Sequence, residues 1–172
     1  MKKNRILIAP IFIPHEGCPY RCVFCNQVDI TGYSQQVDRE NVLAALKTYL
    51  KPNYKINKFI RREVAFYGGS FTGLSDERQE FLLSLIKPLI DNNSVDGMRV
   101  STHPLFIGEK ELNRLKNYGV TTVELGVQST SQNVLNASGR PCSKTDLSSA
   151  VSLLNKFKFK LGLQLMLGLP ND

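Results

Sequence analysis

The sequence contains no apolar run long enough to cross a lipid bilayer. Its first ten residues, MKKNRILIAP, place basic residues before an apolar stretch, as a secretory signal does. Pro10 and Pro14 interrupt that stretch, however, and no small-residue cleavage site follows. We therefore predict a buried first strand here. Because three of the four cysteines share one loop, we expect a cytoplasmic protein in a reducing compartment, with no membrane partner.

The sequence also lacks internal repeats, low-complexity segments and any linker long enough to separate two domains. Its 172 residues, 42% hydrophobic and 22% charged, are typical of a globular protein with one substantial core. We predict a single domain over residues 1–172.

Basic residues exceed acidic ones by seven, which permits an acidic partner such as nucleic acid. The lysines and arginines are spread along the chain, with modest clusters at Lys55–Arg62 and Lys156–Lys160. Such clusters are equally typical of a solvated surface, so charge alone does not indicate a nucleic-acid site.

The densest chemical signal is the segment IPHEGCPYRCVFCNQ, which spaces Cys18, Cys22 and Cys25 as Cys-x3-Cys-x2-Cys. Ordinary iron–sulfur clusters take four cysteines and structural zinc takes four cysteine or histidine ligands. A compact set of three therefore indicates a metal centre with one open position. Two alternatives remain: buried or disulfide-bonded cysteines, and a zinc-stabilised nucleic-acid-binding module in which Cys142 is the fourth ligand.

Strands and helices alternate along the chain. Apolar runs predict strands within residues 1–10 and at 63–67, 98–102, 121–127 and 160–168. Helical periodicity with capping residues predicts helices from Asp38 to a stop at 51–53, at 75–91, at 109–118, through Leu135 and at 143–157. The strands look continuously apolar, which favours a parallel sheet covered by helices. We predict an α/β fold, a parallel β/α barrel or partial barrel of about five strands. A Rossmann-like open sheet is the alternative, but Gly68-Gly69 lacks the rest of the dinucleotide-binding pattern.

Polar and glycine residues follow the predicted strands at the end where parallel β/α barrels carry their working face. They are the cysteine loop, Gly68, Gly69, Ser70, Ser101–Pro104, Gln128 and, within the last strand, Gln164. Two glycines at a strand end allow a small polar ligand to approach backbone carbonyls closely, although they are also typical of a tight turn.

The cysteine loop, with Phe24 just before its last cysteine, resembles the cluster loop of radical S-adenosylmethionine (SAM) enzymes. Within that superfamily the chain is most similar to the radical domain of the Elongator catalytic subunit and its stand-alone bacterial relatives, and next to oxygen-independent coproporphyrinogen III oxidase. The segments that carry this resemblance are FYGGSFTGL, VSTHPLFI, GVTTVELGVQS with SGR downstream, and LGLQLMLGLP. The resemblance implies a partial TIM barrel of the radical SAM type.

The resemblance also implies roles for individual residues. The three loop thiolates would bind a 4Fe-4S cluster whose fourth iron is chelated by the amino and carboxylate groups of SAM. The residues that would contact SAM are Phe24 near the adenine, Gly68, Gly69 and Ser70 at the methionine amino group, Gln128 and Gln164 at the ribose, Arg140 at the carboxylate, and Ser101, which occupies the place of a family glutamate. We expect Arg140 to serve cofactor binding and not folding.

The function implied is reductive cleavage of SAM to a 5'-deoxyadenosyl radical, which abstracts hydrogen from a substrate. The implied electron donor is a protein such as flavodoxin or ferredoxin, and a tRNA base is the first candidate substrate. A porphyrinogen-oxidase-like activity is the alternative within the family, and an inactive remnant that no longer binds a cluster is another.

Three departures from the resembling proteins stand out. The Elongator subunit has wider spacing between its first two cluster cysteines, and its acetyltransferase domain has no counterpart here, so acetyl transfer is not expected. The family barrel has six strands, so we expect the domain to continue beyond residue 172.

No role is assigned to His15, His103, Glu124 or Cys142. Glu124 lies in a predicted buried strand, so we expect it to have a partner.

Overall fold

The computed structural model describes residues 5–25, 36–50 and 61–172. Five parallel strands form one sheet in which each strand pairs with the next along the chain. They are β1 (Ile6–Phe12), β2 (Arg61–Tyr67), β3 (Gly97–Thr102), β4 (Val120–Gln128) and β5 (Lys160–Leu165). The sequential order is that of a partial β/α barrel, which confirms the predicted fold. The Rossmann-like alternative is wrong, because its strand order reverses within the sheet.

Among the described residues, five α-helices accompany the strands: α1 (Arg39–Tyr49), α2 (Asp76–Asp91), α3 (Glu109–Tyr118), α4 (Gln132–Ala137) and α5 (Lys144–Lys156). Asp38 caps α1 and Ser143 caps α5, each in a capping box that pairs two backbone N–H groups with side chains. Gly119 ends α3 in the left-handed conformation that favours glycine. The capping residues thus explain why the helices were predictable, whereas the expected stop of α1 at residues 51–53 lies outside the described residues.

The two faces of the sheet differ in chemistry. Alternate residues of β2 to β4, among them Val64, Phe66, Val100 and Leu125, are fully buried against the apolar sides of α1, α2, α3 and α5. We call this the outer face. The residues between them form the inner face and include Glu63, Tyr67, Arg99, Ser101 and Glu124, and Gln164 of β5 joins this face. The prediction of continuously apolar strands is therefore wrong, because charged residues that pair with one another occupy the inner face.

The first and last strands are the least buried. In β1 only Ala9 and Ile11 are buried, and Ile6 and Phe12 are 41% and 55% exposed, so the prediction of a buried first strand holds only in part. Strand β5 ends at Leu165, three residues before the predicted end, and Leu163 and Leu165 are 52% and 63% exposed. Within the described ranges, none of the helices is long and apolar enough to span a lipid bilayer.

Candidate functional site

A cavity of about 480 Å³ lies at the carboxyl end of the strands, on the inner side of the sheet. All the site residues predicted from the sequence line it: Cys18, Cys22, Phe24, Cys25, Gly68, Gly69, Ser70, Ser101, Gln128, Arg140 and Gln164. The remaining wall residues are Phe12, His15, Tyr20, Tyr67, Thr102, His103, Glu124 and Gly126. The volume is in the range of small-molecule and cofactor sites.

The three loop cysteines are free thiols that share one wall of this cavity. Cys22 is buried, and Cys18 and Cys25 are partly buried. Burial raises the pKa of the Cys25 thiol, the charges of Cys22 and Cys18 raise it further, and Arg140 opposes them. The thiols are therefore close enough to act on one another electrostatically. In the described part of the chain, no three His, Cys, Asp or Glu side chains converge closely enough to surround a single metal ion.

Ion pairing fixes the start of the cysteine loop to the neighbouring helix. The carboxylate of Glu16 accepts two hydrogen bonds from Arg78 of α2, at 2.8 and 3.0 Å, and both side chains are largely buried. Arg78 also donates to the carbonyl of Val37, just before α1. A bidentate arginine–carboxylate pair is a geometrically specific contact, so the loop is anchored between two helices.

Close backbone packing fixes the same loop to the end of β2. A Cβ atom on Gly69 would lie 2.6 Å from the carbonyl oxygen of Ile13 and closer still to that of Glu16. The backbone N–H of Ser70 donates to the Glu16 carbonyl at 2.9 Å. Gly69 thus provides the space that the cysteine loop occupies, in addition to lining the cavity. Gly68 has a positive φ of 97°, a conformation that favours glycine.

The hydroxyl of Ser70 joins the ends of β2 and β3. It forms a 2.9 Å hydrogen bond with the hydroxyl of Thr102, and it accepts the backbone N–H of His103 at 3.0 Å. Ser70 is 3% exposed. In this structure the side chain therefore holds two strand ends together.

Arg140 is buried beside the cysteines, although its sequence context after a glycine is typical of the surface. It is 7% exposed, its Nη1 lies 3.8 Å from the sulfur of Cys22, and its Nη2 donates to the carbonyl of Gly126. The side chain thus links the end of β4 to the loop after α4, and the expectation that Arg140 serves cofactor binding and not folding stays a prediction. Its Nε is buried without a hydrogen-bond partner among the described residues.

A hydrogen-bonded network crosses the inner face. Arg99 donates to Glu63 at 2.5 and 2.9 Å and to Glu124 at 2.6 Å. Glu124 also accepts from Tyr67 and from the amide nitrogen of Gln164, at 3.3 and 2.8 Å. The expected partner of Glu124 is therefore the scaffold, although the side chain is only partly buried and also lines the cavity.

The same network fixes the amide of Gln164. Its nitrogen donates to Glu124, and its oxygen accepts the hydroxyl of Ser101 at 3.2 Å. Gly162 leaves room for this arrangement, because a Cβ atom there would lie 3.0 Å from the Cγ of Glu124. Both ends of the amide are thus held on the cavity wall.

Gln128, at the end of β4, has a positive φ of 69°, which is unusual for a residue other than glycine. The register of β4 against β5 shifts between Gly126 and Gln128, and the Gln128 carbonyl accepts the N–H of Met166 at 2.9 Å. A Cβ atom on Gly126 would lie 3.0 Å from the Gln128 amide nitrogen and 3.2 Å from Arg140 Nη2. Gly126 was not predicted as a site residue, but its missing side chain gives both neighbours their space.

His103 is a second wall residue without a predicted role. It is 3% exposed, and burial lowers its pKa to about 3, with the positive charge of Arg140 acting in the same direction. Its ring centroid lies 5.1 Å from that of Tyr20, which stands between the first two loop cysteines. The signal in the sequence was the position of His103 directly after β3, at the same end as the other polar residues.

Cys142 lies apart from the other three cysteines. It lines a different cavity, beneath α4 and the start of α5, and its thiol donates to the carbonyl of Ser143 at 3.7 Å. Burial raises the pKa of this thiol. The four-ligand zinc alternative requires Cys142 to meet the three loop cysteines. The structure instead places Cys142 at a different cavity.

Comparison with known proteins places these features in a family. The family model of the Radical SAM superfamily matches residues 12–172. In an alignment 205 residues long, the chain is 25% identical to the tRNA uridine(34) acetyltransferase of Methanocaldococcus jannaschii. The alignment covers 97% of this chain and 37% of that protein.

Solved structures agree with the predicted fold. The archaeal Methanocaldococcus infernus Elp3 with an N-terminal deletion gives a TM-score of 0.68 at 20% identity, covering 97% of this chain and 39% of that chain. Coproporphyrinogen III oxidase (HemN) from Escherichia coli gives 0.64 at 20% identity, covering 100% of this chain and 39% of that chain. The chain spans 31–43% of the length of the curated relatives that it matches along most of its own length. Because the family model covers nearly the whole sequence, the chain belongs to the radical SAM superfamily.

Proposed function

We propose that this chain forms the cofactor-binding core of a radical SAM enzyme that acts on a tRNA nucleoside. The observation that carries the proposal is the single cavity lined by the thiols of Cys18, Cys22 and Cys25 together with a buried arginine, Arg140. A guanidinium with one unpartnered nitrogen is costly to bury unless a ligand completes its hydrogen bonds.

The donor set suits a 4Fe-4S cluster. In such a cluster the thiolates bind separate irons, so they must surround one space and need not meet at one point. Arg140 lies 3.8 Å from the Cys22 sulfur, and its positive charge opposes the burial that raises the pKa of the neighbouring Cys25 thiol. When bound, the cluster and SAM supply reductive cleavage of a carbon–sulfur bond and radical hydrogen abstraction.

The other wall residues suit the groups of SAM. Arg140 offers a planar cation for the methionine carboxylate, and backbone groups at Gly68 and Gly69 are accessible from the cavity for the amino group. Gln128 and Gln164 would hold the ribose, with Gln164 oriented by Ser101 and Glu124. Phe24 would lie against the adenine. In this arrangement the protein orients the cofactor and limits the access of water to it.

A tRNA nucleoside is the proposed substrate class because the chain is 25% identical to a protein named tRNA uridine(34) acetyltransferase and carries a net charge of +7. Among the described residues of the two basic clusters, Arg61, Arg62 and Lys156 pair with Glu63, Asp96 and Glu109, so these three charges are already partnered. The proposed electron donor is a flavodoxin or ferredoxin, and the proposed compartment is the cytoplasm, which keeps thiols reduced.

Anaerobic reconstitution with iron and sulfide tests the cofactor part of the proposal. The purified chain should take up about four irons per molecule and, on reduction with SAM, release 5'-deoxyadenosine. Replacing Cys18, Cys22 or Cys25 by serine should remove most of the iron and all of the cleavage, because each thiolate is a ligand.

Cys142→Ser is the matched control, because Cys142 lines another cavity. This variant should keep the iron content and the cleavage of SAM unchanged. Loss of metal in that variant comparable to the loss in the loop variants would contradict the proposal and favour a zinc site. A filter-binding assay with tRNA, against single-stranded DNA of equal length, tests the substrate class separately. Equal affinity for both would contradict a tRNA-specific role.

A further inference from the structure

His103 has one ring nitrogen with a partner and one without. Its Nδ1 accepts the backbone N–H of Leu105 at 3.2 Å. An imidazole nitrogen that accepts a hydrogen bond carries no proton, so in the neutral ring the proton resides on Nε2. That Nε2–H group is buried, and it has no hydrogen-bond partner among the described residues.

The ring is held in one orientation. The centroids of Tyr20 and Phe106 lie 5.1 and 5.7 Å from it, and the backbone N–H of His103 is bound by Ser70. The following residue, Pro104, begins a short 3-10 turn. With its backbone, one nitrogen and both flanks fixed, the imidazole cannot turn Nε2 toward another protein acceptor without losing these contacts.

The surroundings of His103 indicate which kind of acceptor is missing. His103 lines the cavity that holds the three loop thiols and Arg140. Arg140 has a buried, unpartnered nitrogen of its own, and its charge acts on the imidazole. The two residues that carry these unpartnered donors, one cationic and one neutral, thus line the same cavity, a combination that suits an anionic acceptor.

We propose that His103 donates a hydrogen bond through Nε2–H to the anionic group bound between the cysteine loop and Arg140. The inference rests on the proposed function, which places two anionic acceptors in this cavity: the carboxylate of SAM and the sulfur atoms of the cluster. His103 is then a neutral donor that orients the anion without adding charge, whereas Arg140 brings a positive charge to the same wall as Cys25.

The test compares His103→Phe with His103→Gln in the anaerobically reconstituted protein. Phenylalanine keeps a planar ring but removes the donor, whereas the glutamine amide can return an N–H near the position of Nε2. Calorimetry measures the affinity for SAM, and an EPR-monitored titration without SAM measures the midpoint potential of the cluster. A thermal melt of each metal-free variant checks that the fold is kept.

If the acceptor is the carboxylate, His103→Phe should weaken SAM binding roughly tenfold, as the loss of one hydrogen bond to a charged group predicts, with an unchanged potential. If the acceptor is a cluster sulfur, the potential should fall in His103→Phe, because a hydrogen bond to sulfur stabilises the reduced cluster. In either case His103→Gln should lie closer to the parent.

An unchanged affinity and an unchanged potential in His103→Phe, while the parent binds both cluster and SAM, would overturn the inference and leave the proposed function intact. A parent protein that takes up neither would contradict the proposed function, and the inference with it.

Discussion

The outer and inner faces of the sheet are built from alternating residues of the same strands, yet they do different work. On the outer face, Val64 and Phe66 are fully buried in an apolar core that the helices complete. On the inner face, Glu63 is 1% exposed and is held by Arg99. The apolar face is expected to stabilise the fold through area removed from water. A buried ion pair rarely stabilises more than apolar residues of similar volume, so the inner network is better explained by positioning.

The largest effect is expected from the outer face. Phe66→Ala should lower the free energy of unfolding by about 3–5 kcal/mol, because the ring is fully buried against Phe71, at 5.1 Å between centroids, and leaves a cavity. The neighbouring inner-face change Tyr67→Phe, which removes a 3.3 Å hydrogen bond to Glu124, should cost below about 1 kcal/mol. Urea unfolding of the two variants measures this difference. Equal losses would show that the two faces share the stabilisation.

The inner network should respond next. Arg99→Met leaves two carboxylates without their common partner, and we expect the free energy of unfolding to fall by roughly 2–3 kcal/mol. This is less than the cost of breaking a fully buried pair, because Arg99 is 15% exposed. Lys87→Met, which breaks a solvent-exposed pair with Asp91, is the control and should change stability by less than about 0.5 kcal/mol. A loss in Arg99→Met as small as that of the control would remove the distinction between buried and exposed pairs.

The junction between the inner face and the cysteine loop gives a third test. Gly69→Ala introduces a Cβ that would overlap the carbonyls of Ile13 and Glu16, and overpacking of this kind costs about 1–3 kcal/mol. We expect reduced iron uptake as well, because the loop must move. Gly168→Ala adds a methyl group with no atom within 4 Å, although at a φ of 75°, and should leave iron uptake unchanged. Iron content and thermal melting distinguish the two variants.

A smaller, pH-dependent effect is expected from His103. Its pKa is lowered to about 3 in the folded protein, so between pH 3 and 6.5 the unfolded chain binds more protons at this site. The contribution of His103 to the free energy of unfolding is therefore fully present above pH 6.5 and is lost as the pH falls. Between pH 7 and pH 5 the loss is at most about 2 kcal/mol. Arg140 favours the neutral ring and Asp146 opposes it. His103→Gln, which does not titrate, should show a shallower loss in metal-free unfolding experiments, whereas parallel pH profiles would contradict this cause.

The smallest effect is expected from Ser101→Ala. Its hydroxyl donates to Gln164 at 3.2 Å on a partly exposed wall of the cavity. The free energy of unfolding should therefore fall by less than about 1 kcal/mol. If Ser101 acts by orienting the Gln164 amide, SAM affinity should fall more than stability does. An unchanged affinity in calorimetry would assign Ser101 to the scaffold alone.

The sequence predicted the outer face better than the inner one. Helix boundaries followed from capping residues, and Glu109–Tyr118 agrees with its prediction at both ends because Gly119 stops the helix. The apolar pattern of β2, β3 and β4 indicated buried strands and therefore the sheet. It concealed the alternation, because Glu63 and Arg99 stand singly in short strands and become a network only when the register brings them together.

Most of the site was predicted from its position after the strands, and the residues indeed border one cavity. The sequence could not predict that Arg140 is buried, because burial depends on the carbonyl of Gly126 and on Cys22, which lie far away in the chain. It also could not distinguish a glycine that faces a ligand from one that faces backbone. Gly69 borders the cavity and also the backbone of residues 13–16, and only the packing reveals the second contact.

Because the strands are paired in sequence order, the sheet can assemble in the order in which its strands are synthesised. Each strand pairs with the one made just before it, so pairing in the sheet needs no segment that has yet to emerge. The cysteine loop can dock as soon as Gly69 and Ser70 follow β2, and its charged neighbour Arg140 arrives after β4. Gln164 comes last and fixes the final wall through Glu124 and Ser101. On a growing chain, the thiol wall would therefore form early, while the cavity is still open on the side that β5 later closes.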